Sequence, residues 1–115
     1  RHLRAARLVL GARSGDKGAD ANLGVWARTD EGWRWLVHTL TVDLLRRLLP
    51  ETADLTVTRH QLPNLRAVNF WIEGLLAPGT ARREGLDPQA KGLGEWLRAQ
   101  RVPIPERLLE EAARP

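Results

Sequence analysis

The segment R-S-G-D-K-G-A-D-A-N-L-G-V, Arg13 to Val25, holds cations, acids, an amide and glycines at short spacing. Gly15 and Gly18 admit positive φ, and a turn built on them would present successive backbone N–H groups inward as an anion nest. Lys17 adds a compact positive charge, and Arg13 and Ser14 add donors. A carboxylate or phosphate group, such as that of a CoA ester, suits such a site. Asp16 opposes an anion, but Asp16 with Lys17 makes a polar pair for proton transfer on a carbonyl-bearing substrate. Asp16 and Lys17 are thus the candidate catalytic residues. Arg13, Ser14, Gly15, Gly18 and Asn22 are candidate ligand contacts. The same residue types are ordinary turn chemistry, with Asp16 and Asn22 capping backbone N–H groups, so a purely structural turn stands beside the site.

Asn69 interrupts an apolar strand pattern, and a buried amide needs a partner. Reaching the glycine loop makes it a contact; fixing a neighbouring backbone is the structural alternative. Asn64, after Pro63, is a turn residue and a further candidate contact. Other chemistries are poorly supported. There is no cysteine, which excludes disulfides, thiolate metal sites and cysteine catalysis. His2, His38 and His60 lack ligand-like spacing with acids, so no metal and no cofactor is expected. Ser14 is the only serine and lacks the G-x-S-x-G elbow. The G-D-K-G sequence is not a Walker A loop.

The elements that must position these residues follow from periodicity. Ala5 to Arg13 predicts a buried strand, Ser14 to Ala21 a hairpin-type loop, and Asn22 to Arg28 an antiparallel partner with Leu23, Val25 and Ala27 on one face. Residues 1–4 form a basic lead-in, and Thr29 to Gly32 a turn. Trp33, Trp35, Val37 and Thr39 alternate as in a strand, although an irregular helical turn also fits. Thr41 is a good N-cap for a helix from Val42 to Leu49, which Pro50 stops. Strands are expected over 54–62 and 66–74, separated at Pro63-Asn64. Asp87-Pro88 opens a helix through Ala99. Pro103 and Pro105 break the chain before a short terminal helix with Leu108 and Leu109 inward. Strand pairs separated by helices predict an α+β two-layer sandwich. It has a mainly antiparallel sheet of four or five strands with two helices on one face, nearest to a ferredoxin-like arrangement.

At 115 residues the chain fits one domain able to bury a core without staples. It opens on Arg1 and contains no methionine, so a trimmed chain, a processed one or a piece of something longer is expected. No signal peptide and no apolar run of membrane-spanning length is visible, which makes a cytoplasmic location the expectation. The net charge of +4 is carried by scattered arginines, with Lys17 and Lys91 the only lysines. That pattern does not favour nucleic acid, and Arg82-Arg83 with Lys91 is best taken as a solvated face. Trp26 and Trp71 fall opposite the aliphatic strand faces, on the open side of the sheet. Such indoles need cover, which predicts a homo-oligomer or a docking surface.

R-S-G-D-K-G…A-N-L-G-V, then L-P-N-L-R-A-V-N-F, then L-D-P-Q-A-K-G-L-G resemble, in this order, the C-terminal ferredoxin-fold domain of AtuA-like proteins, the acyclic terpene utilisation family. The resemblance places the domain over residues 5–100, with 101–115 as a C-terminal extension. Where members carry an acid or a small residue, Ala19 stands here and Asp20 follows; any role of that acid would fall to Asp20. The resemblance implies an accessory domain or small subunit, docked to a larger AtuA-like domain or subunit. Its implied setting is catabolism of acyclic terpenes such as citronellol and geraniol, or of related acyl-CoA compounds. The alternatives are a self-contained small enzyme or acyl-CoA binder using Asp16 and Lys17, and a basic nucleic-acid-binding module.

Overall fold

A computed structural model of the chain describes residues 2–77 and 91–114. The expected helix start at Asp87-Pro88, the Arg82-Arg83 pair and the loop over 78–80 lie outside the described residues. The main sheet has four strands: β2 (Leu10–Lys17), β3 (Asp20–Ala27), β4 (Val57–Leu62) and β5 (Ala67–Ile72). Their spatial order is β2-β3-β5-β4 and every neighbouring pair is antiparallel. Two helices, α1 (Asp30–Thr39) and α2 (Val42–Leu48), carry the chain from β3 to β4, and β5 lies between those two strands in the sheet. This is the split crossover of a ferredoxin-like fold. A third helix, α3 (Lys91–Ala99), packs on β2. The chain is α+β and ferredoxin-like, as its pattern predicts.

Period-two alternation makes the sheet two-sided. Ala21, Leu23, Val25 and Ala27 of β3 face Val68, Phe70 and Ile72 of β5, and all are buried. The helices supply Leu36, Leu40, Leu45, Leu49, Leu93 and Leu97 to the same core. Burying each large apolar side chain stabilises the fold by about 1.5–3 kcal/mol. Arg59 leaves β4 on this side and donates from Nε to the Leu40 carbonyl at 2.9 Å and from Nη2 to the Val37 carbonyl at 2.8 Å. It thereby satisfies carbonyls at the C-terminal end of α1, which have no partner within the helix. Burial pulls the Arg59 guanidinium below its ordinary value.

Several elements differ from expectation. Residues 33–39 are helical, as part of α1, and Leu40 is its C-cap. Gly32, Leu36 and Leu40 recur every fourth residue and are buried, and Thr29 caps the helix by accepting from the Gly32 N–H at 3.0 Å. The N-terminal lead-in is a strand, β1 (His2–Ala5), paired antiparallel with β6 (Arg101–Ile104) in a separate two-stranded sheet. The strand expected from Ala5 begins only at Leu10, because Ala6–Leu8 form a 3-10 turn. Pro103 does not break the chain; it sits in a short edge strand, where a missing N–H is tolerated. The last helix, α4 (Glu106–Ala112), buries Leu108, and Val102, Ile104 and Leu108 join the one core. No helix is long and apolar enough to cross a membrane among the described residues.

Candidate functional site

The polar segment Ser14 to Ala21 is a hairpin with a two-residue turn rather than a loop. β2 runs through Lys17, β3 starts at Asp20, and Gly18 alone of the turn pair takes positive φ, at 62°. That is the pattern of a type II′ hairpin, with glycine at its first central position. The expected anion nest does not form. Gly15, Asp16 and Lys17 are extended, so their side chains alternate between faces and their N–H groups do not converge. Asp16 and Lys17, expected as a pair, leave the sheet on opposite sides.

Cross-strand register assigns each residue to a face. On the helix side lie Ser14, opposite Leu23, and Asp16, opposite Ala21. Ser14 Oγ accepts from the Gly94 N–H of α3 at 2.9 Å. A Cβ on Gly94 would lie 3.4 Å from the Arg13 Cα, so glycine lets the helix sit close on the strand. Ser14 is therefore seated in the helix–sheet contact. On the other face, rows of opposed residues cross the sheet. One row is Gly15, Asn22, Trp71 and Thr58; the next is Arg13, Gly24, Asn69 and His60. The row beyond holds Gly11, Trp26, Ala67 and Leu62. Lys17 stands opposite Asp20 at the hairpin end.

The open face thus gathers Arg13, Gly15, Lys17, Asn22 and Asn69 from the expected set. It does not gather Gly18, which is at the hairpin tip, or Asn64. Asn64 sits in an exposed 3-10 turn, Pro63–Leu65, at the opposite end of the sheet. The half-buried amides of Asn22 and Asn69 take no hydrogen bond from another described residue. Gly15 leaves open space above it, with nothing within 4 Å of an added Cβ.

Two indoles frame these amides, and each is held in place. Trp26 lies across Gly11, where an added Cβ would fall inside its ring. Trp71 donates from Nε1 to Asp20 Oδ2 at 3.0 Å, while Asp20 Oδ1 accepts from the Gly74 N–H at 2.8 Å. Gly74 needs that anchor in a turn where its φ is 79°. Asp20 is thus occupied in positioning Trp71 and the chain beyond β5. At the outer edge of β2, Arg13 and Trp26 border a groove of about 460 Å³ shared with Gly92 and Glu95 of α3.

His60, Thr58 and Gly24 join this face without being singled out by the motifs. The signal for His60 was its parity in β4, which puts it across from Asn69. Chemically, the face offers a guanidinium, an ammonium, two amides and an imidazole between aromatic walls. It suits recognition through hydrogen bonds and stacking. Among the described residues no group of three His, Cys, Asp or Glu could hold a metal ion.

A family model described as the AtuA ferredoxin-like domain matches residues 7–103, from the 3-10 turn before β2 into β6. No curated protein and no solved structure matches the chain.

Proposed function

The chain belongs to the AtuA ferredoxin-like domain family, and on that premise we propose that it serves as an accessory domain or small subunit. Its open sheet face docks on a larger AtuA-like domain or subunit. The observation that supports this reading is the pair Asn22 and Asn69, half-buried amides without hydrogen-bond partners among the described residues, between the fixed indoles of Trp26 and Trp71. Unpaired amides beside aromatic rings are the composition of a surface that another surface completes. The setting we attach to it is cytoplasmic catabolism of acyclic terpenes or related acyl-CoA compounds, which rests on the family resemblance.

The test is capture of the larger N-terminal domain of an AtuA-like protein by this chain. Asn69→Arg places a bulky charge in the middle of the face without touching the core. Capture should weaken by about tenfold or more, with the far-UV spectrum and melting temperature of the wild type kept. Undiminished capture by Asn69→Arg removes the reading.

A second reading has its own observation. Arg13 and Lys17 flank the open space over Gly15 on one face, which favours an anionic or acyl-CoA ligand there. Asp16 faces the other side, so in this reading Lys17 acts with Arg13. Titration calorimetry with CoA should then give a heat that Arg13→Ala abolishes.

A further inference from the structure

A second concave region lies on the helix side of the molecule, away from the open sheet face. Glu31, Arg34, Trp35 and His38 recur at helical spacing and form one stripe of α1. The chain from Pro105 into α4 faces this stripe, and between them lies a groove of about 590 Å³. That volume falls within the range of small-molecule sites. The family match ends at residue 103, so one wall belongs to the family domain and the other to the C-terminal stretch.

The walls are fixed by contacts that leave specific groups over. Trp35 donates from Nε1 to the Pro103 carbonyl at 3.1 Å, so its half-buried ring is held beside Pro105 as an apolar wall. Glu31 is engaged by the Nε of Arg107 in an ion pair across the groove. The acid of the lining is therefore neutralised. Arg34 forms no salt bridge among the described residues; it exerts only a minor pull on Asp30, which Arg66 already pairs, and it is exposed. His38 places Nδ1 at 2.7 Å from the Arg34 carbonyl oxygen. A carbonyl only accepts, so Nδ1 carries the proton and is committed to the helix backbone, which fixes the ring beside Arg34. What remains unspent in the groove is positive charge beside an apolar wall.

We propose that this groove binds a small organic anion, a carboxylate carried on an apolar stem. Arg34 holds the carboxylate, and Trp35 with Pro105 receives the stem. Arginine is the cation suited to a planar carboxylate, which it grips through two parallel hydrogen bonds. The ion pair between Arg107 and Glu31 keeps the acidic side chain from repelling the ligand.

The experiment follows the indole N–H resonance of Trp35 in the full ¹⁵N-labelled chain during titration with octanoate. Octan-1-ol tests the stem without the charge, and inorganic phosphate tests charge without the stem. Octanoate should give a saturable shift at Trp35, with the two controls giving much weaker responses at the same concentration. Arg34→Gln, at an exposed position, should weaken octanoate binding by about tenfold, the loss expected for a charge-assisted contact. Absence of a saturable shift up to about 10 mM octanoate overturns the proposal. So does equal binding by Arg34→Gln, or an equal response to either control.

Discussion

At the residue scale, Asp20 shows how one carboxylate can be diverted from chemistry into position. Its two oxygens hold the Trp71 indole and the Gly74 N–H. Removing both acceptors in Asp20→Ala should cost about 1–3 kcal/mol, since two donors lose their partner in a part-buried place. Urea denaturation should show that loss, and Asp20→Asn, which keeps one acceptor, should lose less. Asp30 gives a second prediction. Its hydrogen bond and ion pair with Arg66, at 2.8 Å, hold its carboxyl below the usual carboxylate range. A depressed folded-state value means stabilisation that is present above the unfolded value and is lost as pH falls through the folded one. The stability difference between wild type and Asp30→Asn should therefore be small, greatest near neutral pH, and shrink toward zero in acid. An acid-to-neutral series of melting curves checks it; a difference that grows in acid contradicts it. Arg66 itself holds φ at 50°, which is the left-handed region. That strain is local and accompanies the turn into β5.

At the element scale, helix ends are where sequence and structure agree most closely. Thr41 Oγ1 accepts from the Leu44 N–H at 3.1 Å, and Pro50 follows the end of α2, both as the sequence implies. Thr29 has a double duty. It caps α1 and also donates from Oγ1 to Glu111 Oε1 of α4 at 2.9 Å. Thr41→Ala should cost about 0.5–2 kcal/mol as a lost cap. Thr29→Ala should cost more, because it also loosens α4. Paired denaturation curves decide it, and equal losses would show that the contact with Glu111 contributes nothing.

The Thr29 cap was visible in the sequence beside Asp30 and Glu31, yet it looked like a plain turn. The alternation of Trp33, Trp35, Val37 and Thr39 competed with the fourfold spacing of Gly32, Leu36 and Leu40. Burial of the latter decides for helix, and burial is a tertiary fact. β1 and β6 were hidden for a related reason. Four-residue strands carry little periodicity, and Pro103 looks like a breaker unless its edge position is known. In the hairpin, residue types locate the turn but do not supply the strand length. Once Lys17 and Asp20 are paired, parity alone sorts Lys17 from Asp16 and Asn22 from Ala21. Asn64 shows the limit of grouping by motif, since its turn lies at the wrong end of the sheet for the hairpin tip.

At the scale of the whole molecule, the two faces of the sheet divide the work. One is sealed by helices around Phe70, Leu23 and Leu36, and the other carries polar groups between Trp26 and Trp71. If the open face meets a larger partner, the isolated chain should show concentration-dependent self-association that the partner suppresses. Sedimentation at several concentrations, with and without the partner's N-terminal domain, measures this. Unchanged self-association in the presence of bound partner would mean that a different surface is used. The pairing of β1 with β6 bears on how the molecule responds to load. His2 lies beside Ile104, so the outward ends of both strands meet at one corner. A pull applied between His2 and Ile104 would act on that corner and peel the strands apart one rung at a time. It would not shear all the rungs together. Tension entering at these two strand ends would thus open the small sheet first and reach the sheet that carries the open face only afterwards.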